Sequence, residues 1–283
     1  MTSTPPEITI YKMQGSGNDF VLIDNTEPGI HQSQMPNWAR CICRRSFGAG
    51  ADGLIFLEPA AGREQVDYRW HFYNADGSRA EMCGNGSRCA ARLAYMLGLA
   101  PADHVLGTDA GPVRAIVDTK SREVQVQLTT PRDYTPDIAL TTQDGRGLHV
   151  HLVNTGVPHV VLFSDQADQE DIDQIGPALR YHQRFAPAGA NANIVQLTGD
   201  DSLYVRTYER GVEAETYACG TGAAASAFVA NALGLCRTPV RVVTSGGEEL
   251  NVDISGENIY LQGQAVLVYT AQLNLPAVGL ASE

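Results

Sequence analysis

The sequence is poor in basic residues and in long apolar runs, and each deficit excludes a class of function. Its 283 residues include 20 lysines and arginines against 32 aspartates and glutamates, a net charge of −12. A chain of this charge has no general attraction for nucleic acid or for an anionic membrane. The apolar stretch 223–235 is shorter than the roughly 20 residues of a membrane span. Residues 1–10 lack the basic start and apolar run of a secretory signal. We therefore expect a cytoplasmic protein without a nucleic-acid or membrane partner.

The cysteines lack the patterns of disulfide frameworks and zinc sites. Six cysteines in a chain of this length do not indicate a disulfide-stapled fold, so we expect free thiols. Cys41 and Cys43 are separated by one residue, which does not match the paired spacing of a zinc site. The sequence therefore predicts no metal and raises the question of which thiols do chemistry.

Two segments of the chain align without a gap and indicate a duplication. Residues 83–99 read CGNGSRCAARLAYMLGL, and residues 219–235 read CGTGAAASAFVANALGL. Both begin with Cys-Gly-Xaa-Gly, continue with many alanines and end with Leu-Gly-Leu. Alanine favours helix and glycine is a common C-terminal cap, so each segment predicts a helix that starts just after its cysteine. The alternative is that two alanine-rich helices with glycine caps look alike by chance.

The rest of the sequence is typical of strands. Runs with β-branched and aromatic residues predict strands at 8–11, 20–24, 54–57, 68–73, 113–117, 124–128, 148–153, 160–163, 194–197, 202–208, 240–243, 250–254, 259–261 and 265–273. Short helices are expected at 37–45 and 171–179, and a charged loop before the second cysteine. The polar segment 131–142 predicts a linker. We expect domains at 1–130 and 131–264, with a last strand at about 265–283 that returns to the first domain.

Each Cys-Gly-Xaa-Gly turn offers an activated sulfur and a binding site for an anion. A helix N-terminus has unpaired N–H groups and a partial positive charge, which lowers the pKa of a thiol below its free value of about 8.5. The same amides can hold a carboxylate. We expect Cys83 and Cys219 to face each other across the domain interface, one as base and one as acid at an α-carbon. The alternative is that both are small residues in tight helix starts. Cys89, inside the first helix, is expected to be a packing residue.

The chain resembles the diaminopimelate epimerase family in motifs that run in order across nearly its whole length. They are GSGNDF at 15–20, GADG at 50–53, NADGS at 74–78, CGNGSRC at 83–89, PH at 158–159, Asn191, YERG at 208–211 and ETYACGTG at 215–222. The resemblance implies interconversion of LL- and meso-diaminopimelate for lysine and peptidoglycan synthesis, without pyridoxal phosphate or another cofactor. It implies a mixed α/β (α+β) fold of two similar domains related by a pseudo-twofold axis, each a curled mixed sheet around a central helix. It also implies a homodimer.

The resemblance assigns roles by position. It implies that Cys83 and Cys219 are the two acid/base thiols. The carboxylate at the reacting end of the substrate would lie against Gly84, Asn85, Gly220 and Thr221. The distal end would be held by Asn18, Asn74, Asn191 and Arg210. His159 and Glu209 would lie behind the thiols and adjust their pKa values, with Glu209 also near the substrate.

The sequence departs from the family pattern at several positions. Val157 stands where many members have asparagine, and Asn154 is a candidate to compensate. The loop 210–216 is one residue longer than usual, and Gly53 replaces a glutamine found in some members.

The nearest alternative function is that of a proline or histidine racemase of the same architecture. From another class, a non-catalytic amino-acid-binding protein or a redox switch through Cys83 and Cys219 would also use these residues.

Overall fold

The computed structural model describes residues 7–60, 62 and 65–280 of the chain. It divides into two compact units, which we call unit 1 (Met1–Val126 with Gly263–Glu283) and unit 2 (Gln127–Gln262). None of the helices in the described part of the chain is long and apolar enough to cross a bilayer.

Strands dominate both units. They are β1 (Glu7–Gly15), β2 (Asn18–Asp24), β3 (Gly53–Pro59), β4 (Tyr68–Asn74), β5 (Asp103–Thr108), β6 (Gly111–Val117), β7 (Glu123–Gln127), β8 (Arg132–Thr141), β9 (Gly147–Asn154), β10 (Pro158–Phe163), β11 (Asn191–Gly199), β12 (Ser202–Glu209), β13 (Ala214–Thr216), β14 (Val240–Thr244), β15 (Glu249–Ser255), β16 (Asn258–Gln264) and β17 (Val266–Asn274). The helices are α1 (Met35–Ile42), α2 (Gly84–Leu97), α3 (Ile172–Arg180) and α4 (Gly220–Ala232). Short 3-10 turns lie at Gln183–Phe185 and Pro276–Val278.

The sheet of unit 1 has the order β17-β1-β2-β3-β4-β5-β6-β7. β2 lies parallel to β3 and β4 parallel to β5, whereas the other neighbours are antiparallel. β2 and β3 are buried along most of their length. Near-continuous apolar sequence is what strands covered on both faces require.

The sheet of unit 2 repeats this topology. Its order is β8-β9-β10-β11-β12-β14-β15-β16, with β10 parallel to β11 and β12 parallel to β14. The sequence of parallel and antiparallel pairings is the same as in unit 1, so β2, β3 and β4 correspond to β10, β11 and β12. The small strand β13 lies beside the end of β12. This repetition confirms the duplication that the two Cys-Gly-Xaa-Gly segments predicted.

A central helix packs against each sheet from within its curl. α2 contacts strands from β17 to β6 in unit 1, and α4 contacts strands from β9 to β15 in unit 2. A helix that meets strands so far apart in the sheet order requires the sheet to bend around it. The amphipathic helices α1 and α3 bury apolar residues in separate clusters, on β1 to β4 and on β8 to β12. The predicted mixed α/β fold, with a curled sheet and central helix in each unit, is confirmed.

The linker predicted at 131–142 is wrong, because the chain there forms strand β8 against β9. Only Ile138 and Leu140 of this strand are buried, since it lies at the edge of the sheet and exposes most of one face. Its register shifts twice, and Asp133 and Asp137 have positive φ angles of 58° and 51°. A polar, bulged edge strand has the composition of a loop. Strands β5 and β13 were also not predicted from the sequence. Residues 214–216, which were expected to belong to a charged loop, form β13 and pair with β12.

Candidate active site

Cys83 occupies the N-cap of α2, as its motif predicted. Its backbone is extended (φ −152°, ψ 119°), and the N–H of Gly86 donates to its sulfur at 3.4 Å. The sulfur also lies 3.8 Å from Oδ1 of Asn18. Gly84, buried, begins the helix. A backbone donor aimed at sulfur stabilises negative charge there, so the contact fits a thiol that works as a thiolate.

Three loops of the family motifs meet near Cys83 in unit 1. Ser16 and Gly17 have positive φ angles of 56° and 79° and form the tight turn between β1 and β2 that places Asn18 at the start of β2. Asn18 donates its amide N–H to the carboxylate of Asp52 at 2.7 Å. The carbonyl of Asp52 in turn accepts the N–H of Ala75 at 2.9 Å, which joins the loop of Asn74 to the same group.

Asn74 and Asn85 have different surroundings. Asn74 is exposed at the end of β4 and donates to the hydroxyl of Ser78 at 3.0 Å. Asn85 is buried in the first turn of α2, where its side-chain oxygen accepts from Arg88 at 2.9 Å. The same nitrogen of Arg88 donates to the hydroxyl of Ser16 at 2.8 Å. The buried arginine therefore ties the helix start to the turn before Asn18.

Cys219 occupies the N-cap of α4 and is 8% exposed. Its sulfur lies 3.4 Å from the hydroxyl oxygen of Thr221, and Gly220 begins the helix. The same hydroxyl lies 3.0 Å from Nε2 of His159. Thr155 donates to the backbone carbonyl of Thr221 at 3.0 Å and holds this turn in place. The predicted neighbours of Cys219 are thus brought together within unit 2.

His159 is fully buried in β10, and burial lowers its pKa from 6.5 to about 3. A hydrogen bond with Asn193 raises the pKa of His159 in part, and the positive charge of Arg210 lowers it further. The imidazole is therefore neutral at physiological pH. Its Nδ1 lies 3.1 Å from the amide nitrogen of Asn193, and the hydroxyl of Thr207 donates to the amide oxygen of Asn193 at 2.9 Å. Asn193 and Thr207 were not predicted from the sequence.

The predicted distal-end residues of unit 2 lie beside His159. Asn191 begins β11 and accepts the backbone N–H of Arg210 at 2.7 Å. Its amide nitrogen donates to the carbonyl of Pro158 at 3.3 Å. Glu209 ends β12, half-buried, and burial raises the pKa of its carboxyl. A carboxyl with a raised pKa can exchange a proton closer to neutral pH.

The loop that carries Val157 closes on itself. The side-chain oxygen of Asn154 accepts the N–H of Gly156 at 3.0 Å, which forms a local turn. The carbonyl of Val157 accepts the N–H of Thr155 at 3.2 Å. The oxygen of Asn154 is therefore used within its own loop.

Three of the other thiols, those of Cys43, Cys89 and Cys236, have environments that oppose ionisation. Burial raises the pKa of Cys43 and of Cys89 to about 12, and burial also raises the pKa of Cys236. The packing role predicted for Cys89 fits its complete burial inside α2. Among the described residues, no group of three or more His, Cys, Asp or Glu side chains is arranged to hold a metal ion.

A cavity of about 680 Å³ in unit 2 lies away from these residues. It is lined by the end of β8 and by α3, with Thr141, Asp171 and Tyr181 among the lining residues. None of the predicted site residues lines it. The chemically suitable side chains lie instead around the start of α2 in unit 1 and the start of α4 in unit 2, and we take them as the candidate site residues.

Comparison with known proteins gives the same family along most of the chain. The family model described as Diaminopimelate epimerase matches residues 10–133 and 151–268. A diaminopimelate epimerase of Hydrogenobaculum sp. (strain Y04AAS1) is 44% identical over 275 residues, which cover 94% of this chain and 98% of the relative. That of Aquifex aeolicus is 41% identical over 273 residues, which cover 93% of this chain and 97% of the relative.

A solved structure supports the fold at low identity. A hydroxyproline epimerase from Agrobacterium vitis superposes with a TM-score of 0.70 and 14% identity, covering 100% of this chain and 97% of the other. Identity at this level shows the shared fold and not the substrate.

Proposed function

The chain belongs to the diaminopimelate epimerase family, and from that premise we propose that it interconverts LL- and meso-diaminopimelate by two-thiol proton transfer. The protein is an isomerase. The observation that carries the proposal is that both duplicated cysteines occupy helix N-caps in a chain 44% identical to a diaminopimelate epimerase.

Cys83 and Cys219 are proposed as the acid and base. One thiolate removes the α-proton while the other thiol delivers a proton to the same carbon, and the roles exchange in the reverse reaction. The carbanionic transition state needs stabilisation of the charge that spreads into the carboxylate. The first-turn amides of α2 and α4 are suitable donors, which gives Gly84, Asn85, Gly220 and Thr221 their proposed place at the reacting end.

The distal end of the substrate is proposed to bind to Asn18, Asn74, Asn191 and Arg210. A guanidinium can bind a carboxylate with two hydrogen bonds, and the asparagines supply donors and acceptors for the second amino-acid head. A polar pocket of this kind rejects substrates that lack that head, because its groups would be left without partners. The racemase alternative is disfavoured by the contrast between 44% identity to a diaminopimelate epimerase and 14% identity to a hydroxyproline epimerase.

The proposal is tested by incubating the purified protein with LL-diaminopimelate in deuterated water, with no added cofactor. Deuterium should appear at the inverted carbon as meso product forms. The variants C83A and C219A should lose epimerisation, whereas C41A, at a thiol outside the helix N-caps, should keep it. Turnover of proline with none of diaminopimelate would overturn the substrate assignment. Unlabelled meso product would overturn the mechanism.

Three further properties rest on the sequence and the family resemblance. We propose a homodimer, a cytoplasmic location, and functional domains at 1–130 with about 265–283 and at 131–264. Sedimentation of the purified protein tests the first of these properties.

A further inference from the structure

The repeated topology allows the surroundings of the two helix starts to be compared position by position. In unit 2, His159 pairs with Asn191, and Asn193, two residues further along β11, pairs with Thr207. In unit 1, Phe20 pairs with Gly53, and Ile55, two residues further along β3, pairs with Phe72. The trio His159, Asn193 and Thr207 therefore corresponds to Phe20, Ile55 and Phe72.

The unit 1 trio is apolar, so the unit 2 trio is not a requirement of the fold. The rings of Phe20 and Phe72 pack edge to face with centroids 5.7 Å apart. In unit 2 the same positions hold a buried polar group, with His159 and Asn193 both at 0% exposure. Buried polar groups cost stability unless they are hydrogen-bonded. Because an apolar cluster fills the same positions in unit 1, the polar network of unit 2 indicates a function.

The amide of Asn193 has one orientation. Its nitrogen lies 3.0 Å from the carbonyl of Val160, and its oxygen accepts from Thr207 at 2.9 Å. A flipped amide would set its oxygen against the carbonyl of Val160, two acceptors facing each other. The nitrogen therefore uses one hydrogen on Val160 and has the other for Nδ1 of His159, 3.1 Å away.

This orientation fixes the tautomer of His159. A neutral imidazole has one donor and one acceptor nitrogen, and Nδ1 must be the acceptor because Asn193 donates to it. Nε2 then carries the proton and donates to the hydroxyl of Thr221 at 3.0 Å. The amide nitrogen of Asn191 is 3.5 Å from Nε2, but donation there would move the ring proton to Nδ1, against the N–H of Asn193.

We propose that Asn193, held by Thr207, is a positioning residue that fixes His159 as the Nε2–H tautomer and so directs the hydroxyl hydrogen of Thr221 toward the sulfur of Cys219. The oxygen of Thr221 accepts from Nε2, so its own hydrogen is available for the sulfur, 3.4 Å away. A donor to the charged form lowers the pH at which a thiol ionises. The sulfur of Cys83 accepts the backbone N–H of Gly86, so a hydroxyl donor at Cys219 and a backbone donor at Cys83 serve the two thiols.

The role in catalysis rests on the proposed function, whereas the tautomer can be measured without substrate. The protein is labelled with ¹⁵N-histidine, and the ring nitrogens of His159 are assigned by comparison with H159Q. Wild type should show an unprotonated Nδ1 and a protonated Nε2 from about pH 5 to about pH 8. In N193A the two resonances should move toward each other, because nothing selects one tautomer. T207V, which keeps the contacts of His159 but releases the amide of Asn193, should move them less in the same direction.

Kinetic measurements distinguish a positioning role of Asn193 from a general loss of structure in the variant. N193A should lower kcat by about 10- to 100-fold, because the hydroxyl of Thr221 would no longer be held in a hydrogen bond to the charged sulfur of Cys219. The KM should change by less than about threefold. The pH limb assigned to Cys219 should shift to higher pH. The controls are N25A, at a buried asparagine bonded to Ile30 and Glu58 in unit 1, and T244V, at a buried strand threonine. Both should keep the wild-type tautomer and pH profile.

Two results would overturn the inference: a protonated Nδ1 in wild type, or a tautomer that changes in N193A without any change in kcat or pH profile. If N193A does not fold, T207V decides by the same two readings. A wild-type protein with the expected tautomer but no turnover of diaminopimelate would contradict the proposed function and leave the placement of the ring proton established.

Discussion

The hydroxyl of Thr207 donates to the side-chain oxygen of Asn193 at 2.9 Å, across directly paired positions of β12 and β11. The first turn of α4 passes so close to this bond that only glycine fits. A Cβ added at Gly222 would lie 2.5 Å from that oxygen of Asn193 and 3.0 Å from the hydroxyl of Thr207. The second glycine of the motif therefore lets the helix approach the polar network.

Gly222→Ala should destabilise the protein by about 1–3 kcal/mol, the usual cost of overpacking a tight site, and should lower activity. The matched variant is Gly86→Ala in α2, where the added Cβ would meet the end of the Ile55 side chain at 3.3 Å. That contact can relax, and alanine favours helix over glycine by about 1 kcal/mol. Urea unfolding of both variants checks the difference. Equal losses would show that the two helix starts are packed alike.

Serine at either of the two proposed catalytic positions, Cys83 and Cys219, should separate the two halves of the reaction. An alcohol is a far weaker base than a thiolate, so C83S and C219S should each lose epimerisation. Each keeps one thiol, which can still exchange the α-proton of the stereoisomer it reaches. Exchange with deuterated water, followed by NMR for both LL- and meso-diaminopimelate, should give opposite preferences in the two variants. The same preference in both would contradict the assignment of one thiol to each face.

Removal of the guanidinium at Arg210 should weaken binding more than it slows chemistry. We expect R210A to raise KM for diaminopimelate by about 10- to 100-fold, since the proposed charge-assisted pair with the substrate carboxylate is lost. The KM of R210K should lie between those of R210A and wild type, because lysine keeps the charge but cannot form the two parallel hydrogen bonds of a guanidinium. Steady-state kinetics give the comparison, with R237A, at an exposed arginine paired with Asp200, as control. An effect confined to kcat would argue against a role in substrate binding.

The buried neutral His159 should make stability depend on pH in acid. Its folded-state pKa of about 3 lies below its ordinary value of 6.5, so the unfolded chain binds more protons between these values. Stability therefore falls as the pH drops below about 6.5, with a slope of up to about 1.4 kcal/mol per pH unit. H159Q should lose this component, whereas H31Q, at an exposed histidine, should keep it. Urea midpoints at about pH 7 and about pH 5 provide the measurement.

Local sequence predicted the elements that begin at the two thiols. The Cys-Gly-Xaa-Gly turns and the alanine-rich stretches determine α2 and α4 because capping, glycine geometry and helix propensity act within one turn. Strands such as β2 and β3 are visible as apolar runs. The helices α1 and α3 were predicted within three residues of their observed ends.

The polar network behind Cys219 depends on partners that are distant in sequence. His159, Asn193, Thr207 and Thr221 come from three strands and a helix, and no local pattern connects them. One signal was present: Asn193 is two residues after Asn191, so both side chains point to the same face of β11. Strand β8 was missed for a different reason, since an exposed edge strand needs few apolar residues.

The pairing of β17 with β1 has a consequence for how the protein is made. Unit 2 is one continuous stretch of chain, 127–262, so all its strands are available once that stretch has left the ribosome. In unit 1, the edge of β1 that pairs with β17 stays unpaired while more than a hundred further residues are synthesised. Domains generally fold as units during synthesis. The half of the molecule translated first is therefore the half completed last, and its open strand edge is exposed to chaperones and to other nascent chains in the meantime.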